Sequence, residues 1–280
     1  MTYTDLWQRL ATVYEANEAK VIVRYVLDVR FGLSATDVYC GKVTQLSSDD
    51  IKALDKIMQR LLLSEPVQYV LGETSFDGHT FYVAPGVLIP RPETEELVET
   101  INDVLSFHNI STSTILDIGT GSGCIAISLA LRQKQAKVEA WDISYDALRI
   151  AQDNALRLKA KVNVVCQDAL HAPVEHEKWN VIVSNPPYIC EQEKDSMAHN
   201  VLDYEPSTAL FVPDSDPLLF YRAIANYART ALKHGGGLFF EINPIYAQNM
   251  KDMLIDMDYE RIEIKTDQFG KQRFAIAYKK

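Results

Sequence analysis

The run Asn180-Val181-Ile182-Val183-Ser184-Asn185-Pro186-Pro187-Tyr188 brings an amide side chain, two prolines and an aromatic ring to the end of an apolar stretch. Val181, Ile182 and Val183 are β-branched and suit a strand buried on both faces of a sheet. The two prolines fix φ, lack backbone donors and force the residue before each into extended geometry. The chain leaves the strand as a stiff hook that offers acceptors and few donors. A planar –NH2 group is the expected guest: one hydrogen to the Asn185 side-chain oxygen, the other to the Pro186 carbonyl, with Tyr188 over the flat face. Asn-Pro by itself is a common turn opener. Its place after a buried strand is what favours a site, because ligands of α/β sheets bind beyond the carboxyl ends of the strands.

Upstream, Gly119-Thr120-Gly121-Ser122-Gly123 lies between a buried strand and a helix, where missing side chains let backbone N–H groups approach a ligand. The spacing is not the Gly-x-Gly-x-x-Gly that seats a pyrophosphate, and no Lys follows as in a triphosphate-binding loop. Asp142 closes the next strand and is placed to grip both hydroxyls of a ribose. Asp168 closes the strand after that and is placed to accept from an adenine amino group. Each feature alone has an ordinary explanation as a turn or a helix cap. Together they describe an adenosine-containing ligand without a phosphate, and S-adenosyl-L-methionine, leaving as S-adenosyl-L-homocysteine, fits.

The elements that must position these groups are set by length and pattern. A chain of 280 residues with 47% hydrophobic and 24% charged residues predicts a globular protein of two domains. A formal net charge of −10 argues against broad contact with a nucleic-acid backbone. Cys40, Cys124, Cys166 and Cys190 lack Cys-x-x-Cys spacing and the histidines are dispersed, so reduced thiols and no metal are expected. No apolar run reaches the length of a membrane span, and the N-terminus lacks the basic start and apolar centre of a signal peptide. A cytoplasmic monomer is expected, with no membrane and no direct nucleic-acid contact.

Helical signals occupy the first part of the chain. Leu6, Leu10 and Val13 recur at helical spacing over Asp5 to Glu15, Asn17 and Ser34 are candidate caps, and Ser47 or Ser48 opens a fourth helix. This segment reads equally as packing and as partner recognition. Two aromatic runs around Asp77-Gly78 predict a hairpin. In Leu88-Ile89-Pro90-Arg91-Pro92-Glu93-Thr94-Glu95, Pro92 suits a first helical turn, and Arg91, held between prolines, is a candidate to face a site. From Ser113 strands and helices alternate, which predicts a largely parallel sheet covered on both faces.

Four stretches then carry a resemblance that spans nearly the whole chain: Pro66-Val67-Gln68-Tyr69-Val70-Leu71-Gly72, Leu88 to Glu95, Leu116-Asp117-Ile118-Gly119-Thr120-Gly121-Ser122-Gly123, and Ser184-Asn185-Pro186-Pro187-Tyr188. The chain resembles the HemK/PrmC family, the protein-(glutamine-N5) methyltransferases of peptide-chain release factors. The resemblance implies an α/β fold: a seven-stranded Rossmann-like class I methyltransferase sheet with a small N-terminal helical bundle and a β-hairpin connector. The implied divisions are a helical substrate-recognition domain over 1–72, a hairpin linker over 73–90 and a methyltransferase domain over 91–280. By the same resemblance Gly119 to Gly123 and Asp142 hold the cofactor, and Asn185, Pro186, Pro187 and Tyr188 hold the glutamine of a Gly-Gly-Gln motif. Asn185, Pro186 and Tyr188 are the expected catalytic residues, Asp168 and Asn185 add to the cofactor site, and Arg91 adds to the substrate site. Two departures stand out: Ala169 replaces an aromatic that flanks the adenine in some members, and Asp216-Pro217 replaces an expected Asp-Gly. Open alternatives are a glutamine methyltransferase of a ribosomal protein, an amino-directed nucleic-acid (adenine N6) methyltransferase, and a non-enzymatic binding module.

Overall fold

Side chains at the helix starts decide where the first elements begin. A computed structural model describes residues 1–107 and 112–280, and these divide into two units, Met1–Glu73 with Ala198–Tyr204, and Thr74–Met197 with Glu205–Lys280. In the first unit, α1 (Tyr3–Leu10) is opened by a capping box: Thr2 accepts the Asp5 N–H and Asp5 accepts the Thr2 N–H, an arrangement typically worth about 1 kcal/mol. Ser34 and Ser47 cap α3 (Ala35–Tyr39) and α4 (Ser48–Leu61), as their positions predict.

Asn17 does not cap. The helix α2 (Ala16–Phe31) starts one residue earlier, from Glu15 without a side-chain cap, and Asn17 lies in its first turn. Likewise α1 stops at Leu10, and Val13, expected on its apolar face, is 45% exposed. The unit is completed by α5 (Val67–Leu71) and by the helix His199–Tyr204, α9 by its place in the chain. Its core is Leu6, Leu10, Val26, Leu27, Met58 and Leu61, all buried.

The second unit opens with the expected hairpin, β1 (Glu73–Phe76) and β2 (His79–Tyr82). Asp77 and Gly78 between them both take positive φ, 51° and 72°, which matches the twist of a two-residue turn. Phe76 and Phe81 are fully buried and meet edge to face at 5.9 Å. The hairpin is fastened through Asn154 on α8 (Tyr145–Leu158), whose buried amide accepts the Tyr82 N–H at 2.7 Å and donates to the Tyr82 and Ser122 carbonyls, both at 2.9 Å.

The sheet is built from β3 (Thr114–Ile118), β4 (Lys137–Asp142), β5 (Val162–Cys166), β6 (Trp179–Ser184), β9 (Leu232–Glu241), β10 (Glu260–Thr266) and β11 (Gln272–Tyr278). Their order is β10-β11-β9-β6-β3-β4-β5. Strand β11 runs antiparallel to both its neighbours and the other pairings are parallel. One face is covered by α6 (Pro92–Phe107) and α7 (Cys124–Arg132), the other by α11 (Leu219–Ala231) and α12 (Ala247–Asp256). This is the seven-stranded arrangement implied above. Between β6 and β9 the chain adds α10 (Ser207–Leu210) and a short parallel pair, β7 (Ile189–Cys190) with β8 (Phe211–Val212). Neither has a periodic pattern that announces it.

One polar residue sits inside this apolar construction beneath the glycine turn. Asp117 of β3 is fully buried; its Oδ2 accepts the Thr120 hydroxyl at 2.7 Å and the Ala126 N–H at 3.2 Å, tying the turn to the start of α7. Among the described residues Oδ1 has no partner. Burial pushes the pKa up from 3.8 to about 7, against the pull of those two hydrogen bonds. A raised folded-state pKa means that only the unfolded chain loses this proton between about pH 4 and pH 7, so the carboxyl subtracts stability as pH climbs through that window. Asp117→Asn has no proton to lose. Its stability relative to the parent chain is expected to rise between about pH 4 and about pH 7 and to level off above, read from urea midpoints; a pH-independent difference refutes the buried proton.

Candidate active site

The carboxyl ends of the parallel strands open into a cleft whose empty space, open solvent at its mouth included, is about 1050 Å³. All its lining residues come from the second unit. The glycine turn forms the floor. Gly119, Thr120, Gly121 and Ser122 line the cleft, and the first two are anchored by their N–H groups on the Trp141 carbonyl, each at 2.9 Å. Gly121 has φ 56°, in the left-handed region that glycine alone adopts without strain. Gly123 does not line the cleft. It is the residue before α7, and a Cβ there would come within 2.9 Å of Ile127 Cδ1 and 3.2 Å of Ala151 Cβ. The third glycine is therefore a packing requirement that lets the helix close onto α8.

Asp142 stands beside the turn. Its Oδ2 accepts the Gly121 N–H and its Oδ1 accepts the Ser144 N–H, both at 2.9 Å. Burial raises its pKa, and the backbone amides of Ser144, Gly121 and Ile143 oppose that. The carboxylate braces the turn and faces the cleft with unused lone pairs. Asp168 also lines the cleft, but its oxygens are engaged: Oδ1 accepts the Leu170 N–H at 2.8 Å and Oδ2 meets His171 Nδ1 at 2.6 Å. It caps the 3-10 turn Ala169–His171. Burial works to raise its pKa, and the His171 and Leu170 hydrogen bonds bring it below the usual carboxylate value. Where an aromatic was lacking at Ala169, the apolar walls come from Ile143, Phe220 and Ile224.

Asn185, Pro186 and Pro187 line the opposite side. Asn185 is half-buried, and among the described residues its side chain makes no hydrogen bond, nor does the Pro186 carbonyl accept one. These are the two acceptors that the hook was expected to present. Ser184 holds the hook in place by donating its hydroxyl to the Ile118 carbonyl at 2.6 Å. Tyr188 is not among the lining residues. Its hydroxyl donates to the buried Glu241 at 3.2 Å and its N–H to the Leu210 carbonyl at 3.2 Å, and burial raises the pKa of the phenol.

Arg91 reaches the cleft as expected, and among the described lining residues it is the only cationic one. Its guanidinium is bound by Glu205, whose other oxygen accepts the Ile89 N–H at 3.0 Å. Glu205 is 5% exposed, so Arg91 is held in position and its charge is met locally. Residue patterns missed Asp117, Thr94, Glu205, Glu241 and Phe220. For Asp117 and Glu241 a signal existed: each is an acid inside a run of large apolar residues, where a carboxylate is rarely kept without partners. Glu205 lies in a stretch with no periodicity and gives no such sign.

Comparison with known proteins agrees with this geometry. Residues 6–72 match the PrmC N-terminal domain and residues 94–208 match the methyltransferase small domain. A release factor glutamine methyltransferase of Bacteroides thetaiotaomicron is 46% identical over 271 residues, covering 96% of each chain. One from Flavobacterium psychrophilum is 38% identical over 271 residues, covering 96% of this chain and 95% of its own. In fold, the chain is similar to a methyltransferase from Pyrococcus furiosus, with a TM-score of 0.51, 17% identity, and coverage of 79% of this chain and 96% of that one. Identity at the first two levels along almost the full length shows the family, and the chain belongs to the HemK/PrmC release factor glutamine methyltransferases.

Proposed function

We propose that the protein transfers a methyl group from S-adenosyl-L-methionine to the side-chain amide nitrogen, N5, of the glutamine in the Gly-Gly-Gln motif of a peptide-chain release factor. The observation that carries this reading is a pair of acceptors without partners among the described residues, Asn185 Oδ1 and the Pro186 carbonyl, set across one cleft from a glycine turn and a strand-end carboxylate. Such a substrate places the enzyme in the cytoplasm; among the described residues no helix is long and apolar enough to cross a membrane. Selection of the release factor is assigned to the helical unit.

The cleft suits the cofactor. Gly119 to Ser122 present backbone to it, Asp142 has lone pairs free for two ribose hydroxyls, Ile143, Phe220 and Ile224 offer apolar walls for a purine, and Asp168 has lone pairs left for its amino group. When bound, S-adenosyl-L-methionine supplies an electrophilic methyl on a positively charged sulfur. A carboxamide nitrogen is a weak nucleophile because its lone pair is delocalised into the carbonyl. Asn185 and Pro186 accept its two hydrogens, increase electron density on nitrogen and fix its direction. Orientation of two bound reactants contributes up to about 7–11 kcal/mol in well-aligned systems. The alkylated amide is acidic enough to give its proton to water, so no histidine or glutamate base is required, and none is assigned.

Mass spectrometry of a recombinant release factor incubated with the protein and labelled S-adenosyl-L-methionine tests the assignment. The label is expected on the Gly-Gly-Gln glutamine and disappears on Gln→Glu substitution; a label elsewhere, or on nucleic acid, overturns it. Asn185→Ala is expected to lower kcat roughly a hundredfold or more, as removal of one preorganised polar partner does elsewhere, while calorimetry still detects cofactor binding. Near-parental turnover excludes Asn185. Asp142→Ala is expected to weaken cofactor binding roughly ten- to a hundredfold, the loss of hydrogen bonds to a charged group, and an unchanged Kd removes Asp142 from the site.

A further inference from the structure

Glu241 is the last residue of β9, 2% exposed, and absent from the cleft wall. Its two oxygens bind one residue that lines that cleft and one that lies behind its lining. Oε2 accepts the hydroxyl of Thr94 at 2.6 Å, and Oε1 accepts the hydroxyl of Tyr188 at 3.2 Å. Thr94 lies in the first turn of α6 and lines the cleft next to Arg91. Tyr188 is the end of the hook that carries Asn185 and Pro186. The Glu241 main chain is held as well, its carbonyl accepting the Tyr221 hydroxyl at 3.0 Å.

Burial raises the Glu241 pKa, while the Thr94 hydroxyl, the neighbouring Arg273 and the Tyr188 hydroxyl pull it down. Arg273 is itself paired with the buried Asp267. A buried carboxylate is costly to keep, and packing alone would be served by leucine. What leucine could not do is tie Thr94 to Tyr188, since it accepts no hydroxyl.

We propose that Glu241 is a positioning residue for the methyl acceptor: by bridging Thr94 and Tyr188 it sets where the Asn185 and Pro186 acceptors stand in the cleft. The inference rests on the function proposed above. Two prolines separate Asn185 from Tyr188, and their fixed φ angles make the hook transmit a shift of Tyr188 to Asn185 without absorbing it. Glu241 touches neither substrate nor cofactor and acts through the tyrosine. A displacement of about 1 Å at the reacting amide is enough to cost on the order of a hundredfold in rate.

The test compares Glu241→Leu, which removes both acceptors, Tyr188→Phe and the double variant in the release factor assay, with cofactor binding followed by calorimetry. Each single change is expected to lower kcat by about tenfold or more. Because Asp142 and the glycine turn are untouched, the cofactor Kd stays within about twofold of the parent value, which also reports that the variants are folded. The two residues act in one chain, so the double variant is no slower than the slower single one. Parental kcat in Glu241→Leu, a multiplicative loss in the double variant, or a cofactor Kd that weakens in step with kcat overturns the inference. No transfer by the parent chain despite cofactor binding overturns the proposed function, and this inference with it.

Discussion

The site depends on the register of four adjacent parallel strands. Ile118 of β3 pairs with Trp141 of β4 and with Ser184 of β6, and Ser184 pairs with Phe240 of β9. One residue beyond that row stand Gly119, Asp142, Asn185 and Glu241. A glycine turn, a carboxylate, an amide and a buried brace therefore emerge at the same level along one sheet edge. Side chains alternate between faces, so a slip of one residue in any strand would exchange the set packed against α6 and α7 with the set packed against α11 and α12. The hydrophobic pattern that protects the core thus also fixes the placement of the chemistry. The serine before Asn185 adds a local lock, since its hydroxyl bonds the Ile118 carbonyl across the strand gap.

Three buried carboxylates surround the cleft, and each is kept by a different means. Asp117 takes the Thr120 hydroxyl and a helix N–H and is pushed toward the protonated form. Glu205 is met by the Arg91 guanidinium and the Ile89 N–H. Glu241 takes two hydroxyls with Arg273 nearby. Removing one partner of a buried charge costs more than the pair contributes, typically about 3–5 kcal/mol. Such groups make their local geometry hard to vary, which is of use at the borders of a cleft and a liability elsewhere in a core.

The alternation of apolar runs with Gly and Asp punctuation makes the sheet, its glycine turn and the Asn-Pro-Pro-Tyr hook legible in the sequence. Those signals are local: β-branched residues, positive-φ glycines and prolines act on their own segment. Caps were legible where a hydroxyl precedes a helix, as at Ser34 and Ser47, and misread at Asn17 because α2 packs from Ala16 whether or not its first N–H groups find a side chain. Tertiary partnerships were not legible. Nothing in the segment around Glu205 tells that it reaches back to Arg91, and the aromatic ring of Tyr188 suggested a stacking surface when its hydroxyl is what the fold uses. Spacing groups Gly123 with the other glycines of the turn because it cannot distinguish a residue that meets a ligand from one that must clear Ile127 and Ala151.

Charge separates the reading of an amide substrate from that of a base in a nucleic acid, although the acceptor hook suits an amino group on either. Gripping a phosphate backbone takes several Lys or Arg side chains, because neutralised phosphates and released counterions supply most of the affinity. Here the chain carries a net charge of −10, and the cation at the cleft, Arg91, already has its counter-charge in Glu205. A glutamine flanked by glycines brings no charge of its own and lets its backbone approach closely. On the proposed reading its amide is met by two acceptors and no base, Asn185 and Pro186, with two consecutive prolines removing the donors that would otherwise compete for them.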